Sequence, residues 1–279
     1  MVSDQQQGGA DAAQSDVVLT RPEAGVAVLT LNRPQRLNAL TRETVARVNA
    51  ALDRLAGDER CRALILTGAG RGFCSGQDMT ASNQRSQADA SGVVEKLHWQ
   101  EQFSGIGRRL RALPQVTIAA VNGPAVGAGM AIALSCDMRI ASPGARFLVA
   151  AVKIGLTGGE GGISYLLPRM IGASQAFDIL LTGRAIEAEE AERMGLVRPL
   201  CPPERLVDEA LAYARLILAN SRYSIAHTKK LMWENLDAAS YDAAIMAENR
   251  TQILGTMTED YKEATAAFVA KRPPRFTGS

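Results

Sequence analysis

The chain is poor in the side chains that most often bind metals or form disulfides. It has two histidines, His98 and His227, and four cysteines that lie far apart without a C-x-x-C spacing. Structural zinc sites and disulfide frameworks need such residues in closely spaced sets. The sequence therefore predicts no metal site, and its dispersed cysteines are typical of a reducing, cytoplasmic setting.

The chain also lacks a strong charge imbalance and an unbroken membrane segment. Thirty-one basic residues against 29 acidic ones leave a net charge of +2, which gives no reason to expect nucleic-acid or membrane-surface binding. Residues 112–136 carry no charge, but Asn122, Gly123 and Pro124 interrupt them. This pattern indicates a buried strand, a turn and a buried helix rather than a membrane span.

The order of apolar patterns predicts a mixed α/β protein with a helical C-terminal region. Residues 1–15 have no signal-peptide pattern and are predicted to be a disordered tail. Strand-like and helix-like segments then alternate, and after Gly162 the periodicity is helical. The predicted strands are residues 17–20, 26–31, 63–67, 116–121, 138–141 and 147–150. A helix capped by Thr41 is predicted to place Val45, Val48, Leu52 and Leu55 on one face, and the other predicted helices include 94–113, 127–134, 187–194, 203–219, 224–236, 241–254 and 260–270.

Two glycine-containing turns follow predicted strands and are the best candidates for chemistry. Residues 72–79 (GFCSGQDM) follow one strand, and residues 122–129 (NGPAVGAG) join another strand to a helix. Each turn can leave backbone N–H groups without partners, and small residues let a ligand approach them closely. Together they could donate two N–H groups to one oxygen, as an oxyanion hole requires.

Three other interpretations of these turns remain open from the residues alone. Gly72, Cys74 and Gly76 form a Gly-x-Cys-x-Gly pattern that resembles a nucleophile elbow, which would need a histidine base. The glycines at 68 and 70 hint at dinucleotide binding, but the full G-x-G-x-x-G is absent. The second turn could serve only close packing between helix and sheet.

These segments resemble the crotonase (enoyl-CoA hydratase/isomerase) superfamily. Residues 73–79 (FCSGQDM) are similar to its F-C-A-G-x-D-L segment, and residues 121–129 (VNGPAVGAG) to its V-N-G-x-A-x-G-G-G segment. Residues 31–40 (LNRPQRLNAL) resemble its opening L-N-R-P and N-A-L motifs. Further matches at 136–141 and 181–197 keep the family order, so the resemblance covers nearly the whole chain.

The resemblance implies a crotonase-like α/β fold, with repeated ββα units spiralling over residues 16–200 and a helical assembly region over 201–279. It implies an acyl-CoA thioester as substrate, no separate cofactor, and a homotrimer or a hexamer of two trimers. The backbone N–H groups of Gln77 and Ala128 would form the oxyanion hole. Other residues would contact the substrate, Arg36 and Lys271 through coenzyme A, and the rest along the channel: Ser75, Gly76, Asp78, Met79 and Gly127.

The sequence departs from the family pattern where hydratases resemble one another in carrying two glutamates. Those positions correspond here to Ala131 and Ala151, and alanine cannot transfer a proton. Glu160, flanked by glycines before a helix that begins near Ile163, could take over this role. It could equally cap that helix, which would lower its pKa.

The sequence thus predicts an enzyme of the enoyl-CoA hydratase/isomerase class that stabilises a thioester enolate. Three alternatives stay open: a double-bond isomerase that uses Glu160, a thioester hydrolase that uses Cys74 or a Glu160-activated water, and a non-catalytic acyl-CoA-binding scaffold. Trp99 and Phe103 could wall an acyl pocket, although a packed helix face is the plainer interpretation. For His98 and His227 a structural or surface role is expected.

Overall fold

A computed structural model describes residues 15–80 and 92–278. The predicted tail, apart from its last residue, and the polar segment at 82–91 lie outside the described residues. Ser15 accepts a hydrogen bond from Asn32 through its carbonyl and one from Arg47 through its hydroxyl, at 3.0 and 2.8 Å. The described part of the chain thus begins one residue earlier than the predicted core.

The centre of the fold is a five-stranded sheet in the order β1-β2-β3-β4-β6. Strand β1 is antiparallel to β2, and all later neighbours are parallel. Residues of β3 and β4 are buried along their whole length, as expected for parallel strands that are covered on both faces. The strands are β1 (Val17–Glu23), β2 (Val26–Leu31), β3 (Ala63–Gly68), β4 (Val116–Val121) and β6 (Met138–Ala141).

A second sheet of three short strands lies beside the first. Its order is β5 (Pro124–Val126), β7 (Arg146–Leu148) and β8 (Ala185–Glu187). Of these, β5 and β8 were not predicted, because three residues are too few to produce a visible alternation. Strand β5 forms the middle of the second glycine-containing turn, residues 122–129, so its pairing with β7 fixes where that turn lies.

The described helices are labelled in chain order. They are α1 (Arg42–Ala56), α2 (Val93–Ala112), α3 (Ala128–Ser135), α4 (Ile163–Ile171), α5 (Ala173–Thr182), α6 (Ala188–Arg193), α7 (Leu206–Leu218), α8 (Arg222–Asn235), α9 (Tyr241–Gly255) and α10 (Glu259–Val269).

Helices cover both faces of the central sheet. On one face, Val45, Val48, Leu52 and Leu55 of α1 join the main core cluster, as their shared helical face predicts. On the other face, α7 packs four apolar residues against β2, β3 and β4. The predicted α/β class with a helical C-terminal region is confirmed, and the first helix after residue 201 is part of the packing around the sheet.

The predicted helix at 127–134 is confirmed as α3, whose eight residues are all buried. A short, fully buried helix needs no amphipathic pattern, and its sequence accordingly has none. Within the described residues, no helix combines the length and the apolar character needed to cross a membrane.

Candidate active site

The two glycine-containing turns lie against each other, as the oxyanion-hole interpretation requires. Cys74 forms an isolated parallel bridge with Ala125, and the N–H of Val126 donates to the carbonyl of Cys74 at 2.8 Å. A Cβ atom placed on Gly129 would lie 2.1 Å from that same carbonyl oxygen. Only glycine therefore allows α3 to begin this close to the first turn.

The N–H of Gln77 in the first turn points away from Leu40, the residue with which Gln77 forms an isolated bridge. Leu40 donates to the carbonyl of Gly76 at 2.8 Å and accepts from the N–H of Asp78 at 2.9 Å. In extended backbone, successive peptide groups point to opposite sides, so the N–H of Gln77 faces the other way. Within residues 15–80 and 92–278 it has no hydrogen-bond acceptor.

The second turn supplies the N–H of Ala128 at the start of α3. The first bond of this helix runs from the N–H of Ala131 to the carbonyl of Gly127, at 2.9 Å. The N–H groups before Ala131 therefore have no acceptor within the helix, and they lie at the positive end of its dipole. A Cβ atom placed on Gly76 would lie 3.7 Å from the nitrogen of Ala128, which brings the two donors into one neighbourhood.

Both turns open onto one cavity of about 440 Å³. It brings together seven of the predicted site residues, Ser75, Gly76, Gln77, Met79, Gly127, Ala128 and Glu160. Two others, Arg36 and Lys271, are exposed and do not line it. The carbonyl of Arg36 accepts from the hydroxyl of Ser75 at 3.3 Å, so its backbone borders the first turn.

Glu160 lies beside the second turn. A Cβ atom on Gly127, which has a φ of +52°, would lie 2.8 Å from Oε2 of Glu160. The carboxylate thus approaches the backbone that leads into the N–H of Ala128. In the described part of the chain Glu160 is the one acidic side chain that lines the cavity.

The helix-cap interpretation of Glu160 is wrong. The N-cap of α4 is Gly162, and no side chain caps this helix. Only the backbone carbonyl of Glu160 takes part, accepting from the N–H of Ile163 at 2.9 Å. Burial raises the pKa of the Glu160 carboxyl, which is the opposite of the lowering expected from a cap.

Alanine occupies both positions at which the hydratases of the family carry a glutamate, and the structure shows where each alanine lies. Ala151 lines the main cavity. Ala131 borders a small void of about 10 Å³ behind the cavity, together with Ala128 and Gly161. A Cβ atom on Gly161 would lie 2.7 Å from the Cβ of Ala131, so the loop carrying Glu160 packs directly on this alanine.

Asp78, predicted to contact substrate as part of the channel lining, is not among the residues that line the cavity. It is buried, and its carboxylate accepts from Arg33 at 3.0 Å and from the hydroxyl and N–H of Thr80. These bonds stabilise the end of the first turn. Its observed contacts are therefore structural.

Cys74 and the two histidines form no catalytic group. Cys74 is fully buried, and desolvation raises the pKa of its thiol to about 12, so the reactive thiolate is not available near neutral pH. His98 is exposed on α2. His227 stacks on Tyr223 with ring centroids 4.1 Å apart, which agrees with the structural role expected for it.

Trp99 and Phe103 form a packed helix face rather than the wall of the main cavity. Their rings lie 6.1 Å apart, Phe103 is buried in the core, and neither residue lines the cavity of the two turns. The lining instead includes residues that the sequence patterns did not single out, Gln100, Val126, Ile154 and Leu156. The side chains of Ile154 and Leu156 are exposed although they are large and apolar, a feature that only the structure reveals.

No group of three or more potential metal ligands occurs in the described ranges. The site therefore consists of two backbone donors, one desolvated carboxyl and an apolar surrounding. Chemically, such a site can stabilise a developing negative charge on an oxygen and carry one proton beside it.

Comparisons with known proteins agree with this arrangement. The family profile described as enoyl-CoA hydratase/isomerase matches residues 21–279. A probable enoyl-CoA hydratase from Mycobacterium bovis is 42% identical over 94% of this chain and 92% of its own length. The 1,2-epoxyphenylacetyl-CoA isomerase of Escherichia coli is 37% identical over 94% of this chain and 99% of its own.

Among solved structures, a probable enoyl-CoA hydratase/isomerase from Mycobacterium abscessus has a TM-score of 0.87. It is 40% identical, and the match covers 95% of this chain and all of the other. The family profile and these relatives span nearly the whole chain at well above 30% identity. The chain therefore belongs to the enoyl-CoA hydratase/isomerase family, the crotonase superfamily that its motifs resemble.

Proposed function

We propose that this family member is an acyl-CoA double-bond isomerase in which Glu160 is the single proton carrier. The observation that carries the proposal is the lining of the cavity, where Glu160 is the one acidic side chain among the described residues and stands beside the Gly127–Ala128 turn. The thioester oxygen would accept hydrogen bonds from the N–H groups of Gln77 and Ala128. The reaction needs no cofactor beyond the coenzyme A of the substrate.

The proposed reaction is balanced with one carboxylate. Glu160 removes a proton from C2 of a 3-enoyl-CoA, and the electron pair of that C–H bond moves into an enolate whose charge rests on the thioester oxygen. The enolate is conjugated to the C3–C4 double bond. When Glu160 returns the proton to C4, the double bond moves to C2–C3, and no atom or electron is gained or lost.

The desolvated state of Glu160 supports this role. Burial raises the pKa of its carboxyl, which makes the carboxylate a stronger base than an exposed glutamate and stabilises the protonated intermediate form. No donor among the described residues hydrogen-bonds the carboxylate, so its proton affinity is available for the substrate.

Hydration of a double bond is the alternative activity, and the two alanines weigh against it. A hydratase must both position water and deliver a proton to carbon, and Ala131 and Ala151 can do neither. The names of the two relatives include both a hydratase and an isomerase, so the preference for isomerisation rests on the two alanines. The hydrolase that would use Cys74 is disfavoured, because the thiol is buried with a pKa of about 12.

The proposed partner is a second and third copy of the chain, in a trimer or a hexamer. Large apolar side chains are exposed on α8, α9 and α10, including Met232, Tyr241, Met246, Ile253 and Phe268. Such a surface is typical of an interface. Lys271, at the end of α10, could contact coenzyme A only where another subunit brings the two together, whereas Arg36 borders the first turn of its own chain.

The test is incubation of purified protein with a 3-enoyl-CoA and with crotonyl-CoA, followed by chromatography of the products. Wild-type protein should form the 2-enoyl isomer, and Glu160→Gln should lose activity by about 10²–10⁴-fold. The matched control is Glu189→Gln, on an exposed residue of α6, which should act as wild type. A wild-type rate for Glu160→Gln, or water addition as the main reaction, would refute the isomerase proposal.

A further inference from the structure

The loop that carries Glu160 makes backbone hydrogen bonds only at its ends, although it packs on Ala131. No backbone N–H from residue 157 to 162 donates a hydrogen bond to a described residue. On the N-terminal side, the last bond runs from the N–H of Leu156 to the carbonyl of Ala151, at 3.0 Å. On the other side, Ile163 bonds the carbonyl of Glu160. The position of the carboxylate therefore depends on how firmly α4 is fixed.

Helix α4 packs four apolar residues in the core, Ile163, Leu166, Leu167 and Ile171. Tyr165 in its first turn joins it to the C-terminal region. The N–H of Tyr165 donates to the carbonyl of Gly162 at 3.1 Å, and its hydroxyl donates to the carboxylate of Asp237, just beyond the end of α8. Arg169 bonds the same carboxylate at 3.2 Å and the carbonyl of Tyr165 at 2.9 Å. Two residues of α4 thus share one acceptor from the C-terminal region.

Two guanidinium groups also lie close to the ring of Tyr165. The guanidinium of Arg169 lies 3.7 Å from its centroid, and that of Arg111, at the end of α2, lies 5.6 Å away. Arg111 lies 4.4 Å from the ring of Trp233 in α8. Stacked cation–aromatic contacts of this kind fix ring orientation as well as adding stability.

Helix α8 and the turn after it contact both the core and α4. Lys229 and Trp233 are four residues apart, so they lie on the same side of α8, and Asp237 follows two residues beyond its end. Lys229 and Trp233 bond Asp137 in the core at 2.9 and 2.7 Å, while Asp237 bonds α4. This segment is thereby joined both to the core and to the helix that follows Glu160.

We propose that Tyr165 is a positioning residue for Glu160, anchored by Asp237 of the C-terminal helical region. The inference rests on the proposed function, since it assigns Tyr165 a role through the Glu160 carboxyl. Tyr165 is not among the residues that line the cavity. Tyr165 sets the position of the start of α4, where the loop that carries Glu160 ends. It thereby sets the position of the Glu160 carboxyl relative to the Gly127–Ala128 turn.

The first test compares Tyr165→Phe and Asp237→Asn with Tyr223→Phe as a matched control. Tyr223 also loses one hydroxyl bond in the C-terminal region, to the carbonyl of Thr251, but it has no contact with α4. We expect Tyr165→Phe to lower kcat by about 10-fold with KM within about twofold, because small misplacements of a reacting group are costly. Tyr223→Phe should leave both constants unchanged.

A double-mutant cycle separates positioning from a general loss of stability. In the Glu160→Gln background, Tyr165→Phe should cause no further loss, since there is no carboxylate left to position. An independent loss that multiplies the first, or a wild-type kcat for Tyr165→Phe, would overturn the inference. A fully active Glu160→Gln would instead contradict the proposed function.

The second readout does not need turnover. Carbon-13 NMR of protein labelled at glutamate carboxyls, with Glu160 identified by its absence in Glu160→Gln, gives the titration midpoint of this carboxyl. In Tyr165→Phe the midpoint should move down toward that of an ordinary glutamate, because a looser loop admits water. An identical titration curve in wild type and Tyr165→Phe would overturn the positioning role even if no substrate were known.

Discussion

Glu160 and Asp137 are two partly buried carboxylates with opposite surroundings. Asp137 accepts from the N–H and hydroxyl of Thr117 at 2.7 and 2.9 Å, bonds Trp233, and is paired with Lys229. Glu160 is desolvated without any such donor in the described ranges. A carboxylate surrounded by donors stabilises the fold, whereas one that lacks them keeps its proton affinity for chemistry.

The largest expected effect is a loss of stability when the ion pair between Asp137 and Lys229 is broken. Lys229→Met removes the partner of Asp137 and the hydrogen bonds from Nζ to the carbonyls of Leu110 and Gln115. Breaking a buried pair on one side should lower the free energy of unfolding by about 3–5 kcal/mol. Glu160→Gln should change it by less than about 1 kcal/mol. Urea denaturation measures both, and similar losses for the two variants would contradict the contrast.

The second prediction changes the space around Glu160 instead of its charge. Gly127→Ala would place a Cβ 2.8 Å from Oε2 of Glu160, so the carboxylate must move, and isomerase activity should fall by about 100-fold. Gly172→Ala is the matched control. Gly172 also has a positive φ, +85°, outside the αL region, but it does not line the cavity and no atom lies within 4 Å of the added Cβ. An equal loss of activity in the two variants would mean that backbone strain, and not displacement of the carboxylate, causes the loss.

The third prediction concerns how stability depends on pH. The pKa of Glu160 is higher in the folded protein than its ordinary value of about 4.5, so between these two values the folded state binds this proton more strongly than the unfolded chain. Folding stability from this group therefore decreases as pH rises through that window. Glu160→Gln does not titrate, so it should gain stability relative to wild type from pH 4 to pH 8. A constant difference across this range would argue against desolvation.

The smallest effect is expected at Cys74. Because its thiol is buried with a pKa of about 12, iodoacetamide should not modify it in the native protein, and activity should persist. Partly exposed Cys201 is the internal control for labelling. Mass spectrometry of peptides locates the label. Alkylation of Cys74 with parallel loss of activity would restore the cysteine-hydrolase interpretation.

The sequence predicted helices and strands correctly where their burial matches the periodicity of their apolar residues. The four apolar positions of α1 and the charge-free segment of β4 and α3 produce patterns that only one kind of element satisfies. Strands β5 and β8 were not predicted, since a three-residue strand is defined by its pairing with neighbouring strands and has no recognisable pattern of its own. For Glu160, the glycines on either side identified the residue, but the same pattern fitted a cap and a catalytic group equally.

Local composition and residue identity were enough to predict the α/β class, the helical C-terminal region, the two turns and the alanines at positions 131 and 151. The three-dimensional packing was needed to show that Gln77, Ala128 and Glu160 line one cavity, and that Asp78 bonds Arg33 instead. It also decided the direction of the pKa shift of Glu160. Desolvation and the choice of partner depend on residues distant in the chain, which no local pattern encodes.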